Sequence, residues 1–424
     1  MANLRVGTGI TFDGATGNFN TLGIGTVRGS FNATGAINAT SGVNVGTAAT
    51  IHANGNVTCG IITTTNVINS TQLSHRNLVI NGAMQVSQRG QVTGVTNGLG
   101  GPDRFRFQAN YSAVTMSQST DVPSGQGLAK SLKLDVTTAG GISNSDTYTQ
   151  LDYRFEGQEL VRLKYGNSSA ETTTLCFWIK SPKTGTHWVR LYGDELTNNA
   201  FISRKYTVST ANTWQKVTLH FPAYTTSGFN NDNTTGMRIS WYFAQGSDYS
   251  SGTAQADDGD WLEWQEASDR ARNTVGQVNC FDSTDNDIFL TGVQFEVGSE
   301  ATPFEFRSFG DELRRCQRYF QRVNGSLTGV GANATTIRAN YTPIVNFRAS
   351  PTITGNNGVS FNDPGVASPT QTSFNCGLQF TYTPNNIGMT LGFGNFPSNG
   401  QTAQGKPYIQ WDSATDYIDF DAEL

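Results

Sequence analysis

The sequence predicts an all-β chain: a repetitive N-terminal β shaft, an antiparallel jelly roll or β-sandwich, one helix, and a C-terminal β-sandwich. Three observations predict it. Apolar and polar residues alternate with a period of two in many short runs, such as Thr174-Leu175-Cys176-Phe177-Trp178-Ile179-Lys180 and Met237-Arg238-Ile239-Ser240-Trp241-Tyr242-Phe243. Turn-forming clusters separate the runs, as in Ser181-Pro182-Lys183-Thr184-Gly185 and Asn230-Asn231-Asp232-Asn233. A single stretch carries helical periodicity. The 424 residues suffice for two to four domains of roughly 100–200 residues each.

The shaft is assigned to residues 1–75. From Arg5 to about Leu73 the chain has almost no charge and few large apolar side chains, and short β-favouring runs recur between Gly and Asn. They are Ile10-Thr11-Phe12, Ser30-Phe31-Asn32-Ala33-Thr34, Ala36-Ile37-Asn38-Ala39-Thr40, Val43-Asn44-Val45 and Gly60-Ile61-Ile62-Thr63-Thr64-Thr65. One apolar residue per strand cannot close a core, so identical neighbours must supply the missing faces, by stacking along the chain or by winding three chains about one axis. Homotrimeric winding is the preferred solution. A disordered polar tail is the alternative, and the spaced Ile, Val and Phe residues argue against it.

At Ser74-His75-Arg76 aromatic and aliphatic residues become frequent and the strands lengthen, opening a sandwich domain over 76–308. The helix is expected in 309–323, within Gly310-Asp311-Glu312-Leu313-Arg314-Arg315-Cys316-Gln317-Arg318-Tyr319-Phe320-Gln321-Arg322. There Leu313, Cys316 and Phe320 follow i, i+3, i+7, and acidic residues precede arginines as the helix dipole favours. Residues 324–424 form a second β domain, with Tyr382 and Trp411 as candidate core aromatics.

Charged residues are 14% of the chain, against roughly a quarter in an average globular protein, so its solubility rests on amides and hydroxyls. A net charge of −5 without a long basic or acidic run leaves no footprint for nucleic acid or an anionic membrane surface. No stretch approaches the roughly 18 apolar residues of a spanning helix, and residues 1–7 lack the apolar core of a signal peptide, so synthesis in a cytoplasm is expected. Cys59, Cys176, Cys280, Cys316 and Cys376 are scattered singly without a CxxC pair, as reduced, mostly buried thiols are.

The run Asn77-Leu78-Val79-Ile80-Asn81-Gly82-Ala83-Met84-Gln85-Val86-Ser87-Gln88-Arg89-Gly90, followed by Asp103-Arg104-Phe105, resembles the opening of a domain common in tail fibre proteins of tailed bacteriophages. Cys176–Gly185, Leu290-Thr291-Gly292-Val293-Gln294-Phe295-Glu296-Val297-Gly298 with its continuation to Glu305, and Glu312–Phe320 extend the resemblance over about residues 76–323. The last hundred residues, ending in Asp421-Ala422-Glu423-Leu424, resemble the terminal β domain often appended in such proteins, and the N-terminal segment is similar to repetitive shafts of cyanophage structural proteins. The resemblance implies a homotrimeric virion appendage made in the host cytoplasm, joined to other tail proteins through its N-terminal region. Its jelly roll, like a carbohydrate-binding module, would face a host-surface polysaccharide or other receptor. It implies no catalytic pair. An adaptor or decoration protein of tail, baseplate or capsid, and a polysaccharide depolymerase, are the alternatives.

The residues alone give the motifs a scaffolding role. In the Val293–Val297 run, Val293, Phe295 and Val297 share one face and Gln294 and Glu296 the other, as in a strand at a core boundary. No catalytic residue and no cofactor are assigned. His52, His75, His187 and His220 lie far apart, no GxSxG or P-loop occurs, and Gly23–Gly29 misses the dinucleotide-binding spacing by one residue. A depolymerase needs two carboxylates about 5–10 Å apart. The local candidates are Asp257, Asp258, Asp260, Glu263 and Glu266. The same stretch reads better as a glycan-binding loop, in which Tyr249, Trp261 and Trp264 stack on sugar faces while Asp260 and Glu263 bond hydroxyls. The competing reading has one or both tryptophans plugging the sandwich end. Trp178, Trp188, Trp214 and Trp241 lie in or beside strands and are expected in the core. Asp257 and Asp258, and Asp282, Asp285 and Asp287, are oxygen clusters that could take calcium but suit ordinary turns as well.

Overall fold

The computed structural model describes residues 4–5, 10–13, 18–21, 43–45, 49–51, 57–59, 75–140, 142, 144–264, 274–324, 327–333, 335–355, 375–378, 388–394, 407–409 and 417–424. The runs expected at 30–34, 36–40 and 60–65, the aromatics Tyr382 and Trp411, and Glu266 lie outside them. Two compact units divide the chain, Met1–Ile68 and Asn69–Leu424.

In the first unit, β1 (Leu4–Arg5), β2 (Ile10–Asp13) and β3 (Asn18–Thr21) form one antiparallel sheet. A second contains β4 (Val43–Val45), β5 (Ala49–Ile51) and β6 (Val57–Cys59). The expected runs at Ile10–Phe12 and Val43–Val45 are strands.

The second unit opens with twelve strands: β7 (Val92–Val95), β8 (Asn97–Leu99), β9 (Phe105–Ala109), β10 (Ala113–Ser119), β11 (Ser131–Thr138), β12 (Tyr148–Glu156), β13 (Thr173–Lys180), β14 (Gly185–Gly193), β15 (Phe201–Val208), β16 (Gln215–Phe221), β17 (Thr235–Gln245) and β18 (Asp287–Val297). They make two six-stranded antiparallel sheets, β16-β13-β18-β11-β10-β7 and β15-β14-β17-β12-β9-β8. Strand parity builds the core between them. Phe105 and Phe107 of β9, Leu151, Tyr153 and Phe155 of β12, and Met237, Ile239, Trp241 and Phe243 of β17 face Leu175, Phe177 and Ile179 of β13 and Val293 and Phe295 of β18 in one buried cluster. A bulge interrupts β18: Cys176 pairs with Gln294 but Trp178 with Thr291. Gly292 takes φ +61° there, and a Cβ on it would come within 3.0 Å of Leu128 Cδ1 and Trp178 Cδ1.

The recurring motifs meet in one joint. Asn77 Oδ1 accepts from the Val79 and Phe295 amides while its Nδ2 donates to Val293 O. Asn81 binds Val86 and Asp103 through its side chain, and its amide donates to Glu312. Arg104 pairs with Glu423 and lies 3.3 Å from the Tyr319 ring centroid, and Arg89 reaches Asp421 and Glu423. The opening motif thus meets the helix through Asn81 and Glu312, and the chain's last four residues through Arg89 and Arg104.

The helix is shorter than the sequence predicts, spanning Phe309–Gln317 with Ser308 Oγ accepting from the Asp311 amide. Tertiary partners override helical periodicity beyond it. Arg318 gives both carboxylate oxygens of the buried Glu156 a hydrogen bond at 2.8 Å, and Phe320–Val323 pairs as a strand with Ile418–Asp421. That strand, β19, joins β22 (Thr352–Gly355) and β26 (Ile418–Asp421) in a three-stranded sheet. β20 (Thr328–Asn333), β21 (Thr336–Tyr341), β23 (Cys376–Leu378), β24 (Met389–Phe393) and β25 (Pro407–Ile409) make a five-stranded one. Ile337, Leu391, Phe393, Ile418 and Phe420 fill a core of their own. Among the described residues Cys176, Cys280 and Cys316 are buried free thiols and Cys376 is half-buried. Among the described residues no helix is long and apolar enough to cross a membrane.

Candidate functional site

The predicted glycan residues do not form one platform. Trp261 turns inward, packing edge-on against Tyr165 at 5.8 Å and against Tyr224 at 5.4 Å, and its indole N–H donates to Pro222 O. It plugs the sandwich end. Leu262 bridges Phe201 and the Trp264 amide bonds Asn198 O, which carries Trp264 along the free edge of β15. There its ring meets Tyr192 and Phe201 edge-on, at 5.7 and 5.4 Å. Glu263 accepts from Asn198 Nδ2, and Asp260 accepts from the Trp261 amide and is otherwise exposed. Tyr249 packs edge-on to Tyr148 at 6.3 Å.

The acidic run surrounds a buried arginine. Arg204, 5% exposed, donates to Gly259 O and His220 O, and burial lowers its pKa against the pull of Asp257, Asp258 and Asp260. Three of the five candidate calcium ligands are taken by lysines: Lys205 holds Asp257 at 3.3 Å, Lys183 holds Asp282 at 2.7 Å and Lys133 holds Asp287 at 2.9 Å. Among the described residues no three acidic, His or Cys side chains converge as a metal would need.

The richest constellation is one that the sequence reading did not single out: the outward face of the sheet containing β12, β14 and β17. Parity puts Gln150, Asp152 and Arg154 of β12, Arg238, Ser240 and Tyr242 of β17, and Arg190 and Tyr192 of β14 on the side away from the core, because their neighbours Leu151, Tyr153, Ile239, Trp241, Val189 and Leu191 are in it. Register aligns them in rows. Arg106, Asp152, Ser240, Arg190 and Ser203 stand opposite one another on five successive strands, spaced about 4.8 Å apart. Arg154, Arg238, Tyr192 and Phe201 make a second row, and Gln108, Gln150 and Tyr242 a third.

This face is polar yet sunken. Asp152 and Ser240 are fully buried, and Tyr242, Arg190 and Gln150 are no more than 8% exposed. Arg238 holds Asp194 with two hydrogen bonds of 2.8 and 3.0 Å, and Gln150 Nε2 donates to Asp152. The Arg190 guanidinium lies 4.9, 5.3 and 5.5 Å from the ring centroids of Tyr192, Tyr242 and Trp264. Burial pushes the Tyr242 hydroxyl up to about 12, so it remains a neutral donor. Burial also lowers the Arg154 pKa, and Arg238 and Arg106 add to that through like-charge repulsion. Aromatic rings beside amides, a carboxylate and guanidinium groups can hold a polyhydroxylated ligand through its apolar faces and its hydroxyls at once.

The opposite sheet has a groove of about 470 Å³ on its outward side, lined by Trp178, Lys216, Gln126, Leu128, Thr302, Phe304 and Phe306. Trp178 is therefore not a core residue: it is half-buried on the solvent side of β13, where the parity that buries Phe177 and Ile179 puts it. Trp214 is half-buried too, its N–H on Asp121. Trp241 is in the core, and Trp188 is buried because its N–H donates to Val275 O of a segment lying over it.

No protein-family model and no curated protein matches the chain. Among solved structures it is similar to the enzymatically active domain of tailspike protein 4 of bacteriophage CBA120, at 15% identity and a TM-score of 0.30 over 52% of this chain and 21% of that one. The chain thus spans about a fifth of that tailspike's length. It is similar to the family 11 carbohydrate-binding module of the cellulase Lic26A-Cel5E of Clostridium thermocellum, at 11% identity and a TM-score of 0.25 over 50% of this chain and 97% of that one. It is similar also to TmCBM61 in complex with β-1,4-galactotriose, at 12% identity and a TM-score of 0.23 over 53% of this chain and 99% of that one.

Proposed function

We propose that the chain is a subunit of a tailed-phage fibre that fastens the virion to host-surface polysaccharide, and that it binds this glycan without cleaving it. The observation that carries the reading is the sunken polar face, where Tyr192, Tyr242 and Trp264 ring a guanidinium beside Gln150, Asp152 and Ser240. The motifs at Asn77–Gly90 and Leu290–Gly298 support the virion setting by resemblance. A trimer would offer three such faces, and several fibres would multiply weak contacts into firm attachment.

The test is adsorption of purified full-length protein to host cells and to their isolated polysaccharide. Replacing Tyr192 and Trp264 together by Ala is expected to lower binding at least tenfold, since aromatic contacts of this kind contribute about 1 kcal/mol each. Unchanged binding removes the face from the reading. Release of reducing ends from the polysaccharide, lost in a variant lacking Asp260, Glu263 and Glu266, would establish the depolymerase instead.

The adaptor reading has one observation in its favour. Phe306, 52% exposed, lines the groove together with Trp178 and Phe304, an aromatic patch suited to another protein, and Phe309 is 55% exposed three residues on.

A further inference from the structure

We propose that the sunken face selects an acidic sugar, with the carboxylate of a uronic-acid-type unit docking on Arg190 beside the Ser240 hydroxyl. This rests on the face being the glycan interface.

Arg190 is 93% buried, yet its side chain makes no hydrogen bond and no ion pair with any described residue; its Nε is sealed from solvent without a partner. A guanidinium Nε–H left unanswered in a low-dielectric site is costly. The three rings lie 4.9–5.5 Å from it and accept no hydrogen bond from it. Ser240 stands directly opposite it in register, fully buried, and its Oγ also has no partner. Arg190 and Ser240 are register partners on adjacent strands, and a planar carboxylate has two oxygens with which to answer their unsatisfied donors.

The charge balance points the same way. The face carries Arg106, Arg154, Arg190 and Arg238 against Asp152 and Asp194, two positive charges in excess within a chain of net charge −5. Asp194 is committed to Arg238, and Asp152 is met by Gln150. Burial depresses the Arg154 pKa, and Arg238 and Arg106 add to that by like-charge repulsion. An incoming anion would relieve it.

The test is calorimetric titration of the full chain with a galacturonate tetrasaccharide, a galactose tetrasaccharide and a sulfated galactose tetrasaccharide. The expected result is at least tenfold tighter binding of the galacturonate than of the neutral sugar. In Arg190→Leu that preference should disappear, while Arg190→Lys should restore it in part. Because the buried Arg190 guanidinium lacks hydrogen-bond and ion-pair partners, and Leu can pack against the same three rings, Arg190→Leu should melt at the same temperature as the parent or above it. A marked drop in melting temperature would identify Arg190 as a structural residue and overturn the proposal. Equal binding of acidic and neutral sugars, a preference that survives Arg190→Leu, preference for the sulfate over the carboxylate, or no binding of any of the three would each overturn it as well. Adsorption to host cells, lost in the Tyr192 and Trp264 variant, is read separately, so the glycan interface can stand when the acidic-sugar proposal falls.

Discussion

Burial holds the His187 imidazole neutral. Its ring is inaccessible, stacks 5.3 Å from Tyr206, and has only Lys183 O as a hydrogen-bond partner, at 3.2 Å; desolvation lowers its pKa from 6.5 to about 4, against the small opposing pull of that carbonyl. As pH falls, the unfolded chain takes up this proton first, so the contribution is complete above pH 6.5 and is lost between about 6.5 and 4. It amounts to about 3 kcal/mol at most. His187→Phe keeps the stack without the titration, so the loss of melting temperature between pH 7 and 4 should be smaller in the variant. An identical loss in both proteins would show that other groups carry the acid sensitivity. The alternating runs suggest a core position for Trp178 and Trp188, whereas strand parity puts both, with Arg190, on the side opposite Phe177, Val189 and Leu191. What it cannot assign is the cover. Trp188 is buried by a segment some 87 residues away, and Trp178 has a groove in front of it. Arg190 carries no signal of its own in the sequence, because its aromatic surround comes from three separate elements.

At the scale of elements, the C-terminal tail is a clasp. Glu423, whose side chain is 5% exposed, answers Arg104 at 1% and Arg89 at 8%, and the Arg154 guanidinium donates to Leu424 O. Glu423→Ala leaves Arg104 buried without its anion, and is expected to cost about 3–5 kcal/mol in urea unfolding. A loss under about 1 kcal/mol would show that the Tyr319 ring and Arg154 O satisfy Arg104 alone. At the β18 bulge, Gly292→Ala should cost about 1–2 kcal/mol, because an L-residue at φ +61° is strained even before Leu128 and Trp178 yield. The bulge was foreshadowed only as a glycine within an alternating strand. The motifs themselves were legible as scaffold, and the faces assigned to Val293, Phe295, Gln294 and Glu296 are those observed. The helix end was not, since Phe320 continues the helical spacing while its backbone pairs with Asp421, a partner a hundred residues on. The acidic loop was read by composition alone, which does not show that it encloses Arg204.

For the whole molecule, the alternation of apolar and polar residues along the strands made the all-β class readable. The second unit has separate cores in its sandwich and its C-terminal part and can account for its own stability. The described strands of the first unit are two to four residues long, in sheets of three. Sheets this small are marginal without a further apolar face to bury, and the sequence offers about one large apolar residue per strand. Two more copies of the chain would supply that face, so light scattering during size exclusion should give three chains of 45.7 kDa each. A chain beginning at His75 separates the sources of assembly. If it is also trimeric, the contacts lie in the second unit, where the exposed Phe306 and Phe309 at the helix entrance are the first residues to replace. If it is monomeric while the full chain is trimeric, the shaft holds the fibre together, and three sugar faces act in concert only while it is intact. A monomeric full chain would end the wound-shaft reading and leave one binding face per particle, with no avidity to offset the weakness of a single glycan contact.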